Sequence, residues 1–75
     1  MTIWKAAVTA LFGDPNDVRI TIKGDGTTNI YSAYHLPSGA SCSVICPRSE
    51  IHTAADQEIH MIRAAEKLKA QVVSD

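Results

Sequence analysis

A basic surplus is missing from this chain. Its 75 residues carry seven Lys or Arg against eight Asp or Glu, a formal net charge of −1. That balance does not favour a dedicated nucleic-acid binder, which usually carries a basic excess. It is also far from the charge of an acidic DNA mimic. Long apolar runs are missing too: no stretch approaches the ~20 residues that span a bilayer. The amino terminus MTIWKAAVTALFG has one Lys and two Thr, without the separate basic region and apolar core of a signal peptide. No repeat or low-complexity tract interrupts the chain. Cysteine is limited to two residues. The expectation is a soluble cytoplasmic protein with no membrane segment and with its thiols reduced.

What is present fits one small globular domain over residues 1–75. Hydrophobic residues make up 45% and charged residues 20%, whereas disordered chains are poorer in apolar residues and higher in net charge. A domain of this size buries about 60% of its unfolded surface and is marginal by itself.

Apolar spacing predicts a short helix over residues 2–12, with Thr2 as its cap and Gly13 beyond its end. Its polar residues, Lys5 and Thr9, share one side, so most of its girth is apolar. Val18, Ile20 and Ile22 alternate with Arg19, Thr21 and Lys23, as in a half-buried strand. Gly24–Thr28 reads as a hairpin loop, Asn29–Leu36 as a second strand and Ala40–Cys46 as a third. For the second strand the expectation buries Ile30, Tyr34 and Leu36 and exposes Tyr31, Ala33 and His35, with the reverse assignment as the alternative. Ser49 or Thr53 can cap a long last helix, and Thr53–Asp56 resembles a capping box. In that helix Ile51, Ala55, Ile59, Ile62, Ala65, Leu68 and Val72 form an apolar stripe opposite Asp56, His60, Arg63 and Lys67. The predicted fold is α+β: α-β-β-β-α, a three-stranded antiparallel meander with both helices on one face.

Chemistry-bearing residues are few. Cys42 and Cys46 share a strand face with Val44, about 13 Å apart, too far for a disulfide. They read as buried filler. Cys42, Cys46, His52 and His60 lack the spacing of a zinc finger. Cys46, at a strand end, is the better candidate for a Cys–His nucleophile pair. His52, Asp56 and His60 recur every four residues but cannot all reach one ion. Gly24-Asp25-Gly26 lacks both the Lys-Ser/Thr ending of a phosphate loop and the spaced acids of a calcium loop. No cofactor or metal is expected.

The open sheet face is the strongest candidate surface, with Arg19, Lys23, Tyr31 and His35 as contacts beside Thr21, Ser41 and Ser43. The element order is similar to that of the double-stranded-RNA-binding domains. The likeness ends there: that family begins its last helix with a Lys-rich run, and here the start reads HTAADQE. The leading expectation is a non-enzymatic protein that docks on a protein partner as an inhibitor or adaptor. Phage-encoded inhibitors of host machinery, such as anti-CRISPR proteins, work this way at similar size. Direct nucleic-acid binding through the same face is the alternative, and a small metal- or cysteine-dependent enzyme comes third. Trp4, on its nearly all-apolar helix, belongs either to the core or to a homodimer interface.

Overall fold

In the computed structural model, which describes residues 3–73, helix α1 (Ile3–Phe12) precedes strands β1 (Val18–Gly24), β2 (Thr28–His35) and β3 (Ser41–Pro47), and helix α2 (Ala54–Val73) follows. The sheet is antiparallel, in the order β1-β2-β3. The α+β meander read from the sequence is therefore the fold. Thr2, the expected cap of α1, lies outside the described residues. Gly13 ends α1 with φ +88°, and its N–H donates to Thr9 O at 2.8 Å, the left-handed stop that glycine adopts without strain.

The capping box at α2 is real. Thr53 Oγ1 accepts from Asp56 N at 3.2 Å, while Asp56 Oδ2 accepts from Thr53 N at 3.2 Å and His52 N at 2.9 Å. These bonds satisfy amide groups that the first turn of a helix leaves open.

The hairpin register corrects the expected parity of β2. Gly24 belongs to β1 and pairs with Asn29, so four residues separate the paired ends of β1 and β2, where the sequence suggests five. A one-residue slip moves every side chain of a strand to the other face. Ile22 consequently lies opposite Tyr31, Ile20 opposite Ala33 and Val18 opposite His35. Tyr31 and Ala33 are buried, whereas Ile30, Tyr34 and Leu36 are exposed. The register depends on local chemistry. A Cβ at Gly24 would sit 2.9 Å from Asn29 Oδ1. Asp25 Oδ1 accepts from Thr27 N at 3.0 Å and Thr28 N at 2.8 Å, which closes the loop tightly.

The core lies between the sheet and α2. Val8, Val18, Tyr31, Ala33, Cys46, Met61, Ala64, Ala65 and Leu68 form it. α2 is rotated from the expected stripe: Ile59 is exposed, and His60 turns inward to stack on Tyr31 with ring centroids 5.6 Å apart. Two neighbours set that rotation. On one flank of α2, Glu58 Oε1 accepts from Ile3 N at 2.9 Å and Lys69 lies over the Phe12 ring. On the other flank, Ala64 O accepts from Cys42 Sγ and Lys67 Nζ donates to Ser43 O at 3.0 Å. α1 therefore sits beside α2, and Val8 is its one fully buried residue among those described. Trp4 is half-buried against the core.

Tyr31→Ala is expected to cost about 3–5 kcal/mol, the loss typical of a deleted core aromatic ring. Thr53→Ala is expected to cost about 1 kcal/mol through the lost cap. Chemical denaturation of the two variants beside the native chain measures both.

Candidate functional site

Two places gather residues with chemical potential: the uncovered sheet face and a polar contact beneath α2. The register defines the open face as three cross-strand rows. Arg19, Tyr34 and Ser41 make one row; Thr21, Ser32 and Ser43 the next; Lys23, Ile30 and Ile45 the third. Ser32 and Ser43 share a hydroxyl–hydroxyl bond of 3.1 Å at the centre. Ile45 is 66% exposed, Tyr34 41% and Ile30 37%. Among the described residues, these three rows hold two cations and no carboxylate, although the whole chain is slightly acidic.

Of the four contacts expected from sequence, Arg19 and Lys23 are on this face and exposed. Tyr31 and His35 are not. Tyr31 is fully buried under α2, and its hydroxyl accepts from Asn29 Nδ2 at 3.3 Å. His35 is half-buried, stacked on Phe12 at 5.0 Å, with Nδ1 2.7 Å from Ser38 Oγ. The register explains both corrections, since the odd-numbered residues of β2 share a face with Ile20 and Ile22. Tyr34, Ile30 and Ile45 are the surface residues missed. No local sequence pattern marked them, because the parity is fixed by the pairing of Gly24 with Asn29, a relation between strands.

Beneath α2, Cys46 Sγ lies 3.1 Å from His60 Nε2, and Arg63 lies 3.2 Å from His60 Nδ1. The Cys–His proximity considered from sequence is therefore formed. Its proton order opposes activation. A guanidinium only donates, so Nδ1 must accept, which puts the proton of the neutral ring on Nε2, directed at sulfur. The thiol in turn donates to Pro47 O at 3.4 Å. His60 then has no lone pair aimed at the thiol proton, as a general base would need. Burial, reinforced by Glu50 and Asp56 against Arg63, pushes the Cys46 thiol above its ordinary value of 9.0. Burial likewise raises Cys42, with Lys67 opposing. Both cysteines are free. Among the described residues no group of three His, Cys, Asp or Glu comes together as a metal site, and no helix is long and apolar enough to cross a membrane.

Comparison with protein-family models, curated proteins and solved structures found no match to this chain.

Two titration limits follow from the shifted groups. Backbone hydrogen bonds from Thr27 and Thr28 lower Asp25, and those from His52 and Thr53 lower Asp56, below the ordinary 3.8. As pH falls through that range the unfolded chain takes up protons first, so this contribution to stability is lost toward acid. For the thiols the sign reverses. As pH climbs past 9.0 the unfolded chain releases thiol protons first, which favours unfolding. Denaturation from about pH 2 to about pH 11 should show stability falling at both ends. At about pH 8 the native thiols should alkylate at least about tenfold more slowly than in denaturant.

Proposed function

We propose that the protein is a non-enzymatic docking module that binds another protein through its open sheet face, as an inhibitor or adaptor does. The observation that carries this reading is the exposure of Ile30, Tyr34 and Ile45 on a face that neither helix covers among the described residues. Small monomeric domains normally turn such a face to water with polar residues. Here the polar residues form the middle row, and apolar or aromatic residues lie on both sides of it.

Magnitudes indicate what each group contributes. Burying an exposed Ile or Tyr at an interface is worth about 1–3 kcal/mol. A rim cation paired with a partner carboxylate is worth about 0–1 kcal/mol. Ile45, Tyr34 and Ile30 therefore supply affinity, while Arg19 and Lys23 select an acidic surface and raise the association rate. The partner's matching surface is apolar at its centre with carboxylates toward the β1 side. The free thiols suit a reducing cytoplasm.

The test is capture from lysate with the native chain beside a Tyr34→Ala/Ile45→Asp variant whose fold is verified by circular dichroism. One stoichiometric protein held by the native chain, with affinity at least about tenfold lower for the variant, supports the reading. Equal capture by both rejects this face. Retention of nucleic acid that falls steeply with salt would replace the protein partner with a nucleic-acid one.

A further inference from the structure

The two edges of the sheet differ in their hydrogen-bonding capacity. Leu36 N–H donates to Asp17 O at 2.8 Å, and Asp25 N–H donates to Thr28 O at 3.2 Å. Both pairs obey the β1–β2 register, and bonded pairs alternate along an antiparallel ladder. Arg19, Thr21 and Lys23 therefore turn their backbone groups toward β2. Ile20, Ile22 and Gly24 turn theirs outward. On the opposite edge, His35 N–H donates to Ala40 O and Arg48 N–H donates to Thr27 O. The outward residues of β3 are thus Ser41, Ser43, Ile45 and Pro47.

The β3 edge is blunted. Lys67 Nζ occupies the outward carbonyl of Ser43 at 3.0 Å, and Pro47 has no N–H to offer. Lysine and proline are the usual means of closing an edge to further strands. β1 carries no proline, and its two cations, Arg19 and Lys23, turn to the open face. Its pairing partner is β2 alone, and α2 lies over β2 and β3 and barely reaches it. Residues 21–24 are exposed, and Ile22 on the helix side is 39% exposed. An added strand would satisfy the outward groups of Ile20, Ile22 and Gly24 and cover Ile22 in the same step.

Side chains along β1 specify the occupant. Arg19 and Lys23 point to the open face, Ile20 and Ile22 to the helix side. A second copy paired antiparallel along the whole of β1 would set Arg19 directly against Lys23 at both ends, and directly opposed like charges destabilise a ladder. Any shift that separates them shortens the ladder. From this charge pattern we infer that β1 accepts an extended segment of another protein. Its residues alternate acidic, apolar, polar, apolar, acidic, so that carboxylates meet Arg19 and Lys23 while apolar side chains meet Ile20 and Ile22. The sheet then has four strands, and backbone bonds supply affinity while alternate side chains supply selection. The inference rests on the docking reading for the role of the two cations and locates the partner's strand at the edge of the sheet.

The experiment uses the blocked peptide TEVTVET as probe, with TKVTVKT as its charge-reversed control, and reads amide hydrogen exchange of the native chain by NMR. Exchange at Ile20, Ile22 and Gly24 slowed at least about tenfold by TEVTVET but not by TKVTVKT supports the inference. An Arg19→Glu/Lys23→Glu chain, altered only at exposed positions, should reverse the preference between the two peptides. Ile22→Pro removes one outward donor and leaves the β1–β2 ladder intact, so it should weaken TEVTVET about tenfold. Peptide-induced shifts confined to Ile30, Tyr34 and Ile45, without slowed exchange at the edge, would overturn strand addition and leave face docking standing. No response to TEVTVET at millimolar concentration would overturn the inference, while capture by the open face would still decide the docking reading separately. Edge amides already protected in the free protein, increasingly so with its concentration, would make the occupant a second copy and overturn the inference as well.

Discussion

Tyr31 occupies the centre of the middle strand, and the packing of the rest of the domain follows from where its ring goes. It is among the largest fully buried side chains, with Leu68 and Val8. A ring of that size fits under a helix only where the helix presents little of its own bulk. α2 does so with Ala64 and Ala65, both fully buried, and places the flat imidazole of His60 against the tyrosine ring. The hydroxyl needs a partner once it leaves water, and Asn29 supplies it from the same strand face. Opposite it, a Cβ at Gly24 would sit 2.9 Å from Asn29 Oδ1, so a larger residue there would displace the amide that holds the tyrosine hydroxyl. One buried ring thus ties together the helix rotation, the hairpin register and the glycine at the end of β1.

The same constraint produces the surface. Side chains alternate along a strand, so a buried Tyr31 forces Ile30 and Tyr34 outward. The domain cannot hide both sets, since both its helices are on one side of the sheet. Its exposed apolar residues on the open face follow from choosing Tyr31, Ala33 and Cys46 as core. Once there, they are a liability that a solvated module would be expected to lose to polar substitution, as Thr21, Ser32 and Ser43 illustrate in the row between them. The Cys46–His60 contact belongs to the buried side of this division. Its donor order, from Arg63 through imidazole and thiol to a carbonyl, satisfies polar atoms that burial would otherwise leave costly.

Element order, the antiparallel meander, the capping box at Thr53 and the buried faces of β1 and β3 were legible in the sequence. Each rests on a local pattern: the alternation of Val18, Ile20 and Ile22, the Thr-Ala-Ala-Asp spacing, or the turn residues around Gly39. The face of β2 and the rotation of α2 were not, because both depend on relations between elements. In β2, apolar or small residues occupy both parities, with Ile30 and Tyr34 on one and Tyr31 and Ala33 on the other, so composition does not choose between them. The choice follows from whether Asn29 pairs with Gly24 or with Lys23. In α2, Ile59 looks like core and His60 like surface until the sheet lies on one flank and α1 on the other. Errors about the candidate site came from that single parity: Arg19 and Lys23, on the well-patterned β1, were placed correctly, and Tyr31 and His35, on β2, were not.

An open strand edge and an exposed apolar face each invite unwanted association, and natural sheets are shaped to prevent it. This domain closes β3 by reaching Lys67 across from α2 and by ending the strand at Pro47. β1 carries no proline, its Lys23 turns to the open face, and Gly24 removes a side chain from the edge. A general weakness of design would leave both edges alike. The asymmetry instead separates a protected side from an accessible one, and the accessible side carries Arg19 and Lys23. Two like charges at alternating positions on β1 make self-pairing along its length unfavourable while leaving an oppositely charged strand acceptable. In the proposed strand addition, charge discriminates among occupants at an edge whose backbone cannot, and so favours an acidic segment over self-pairing.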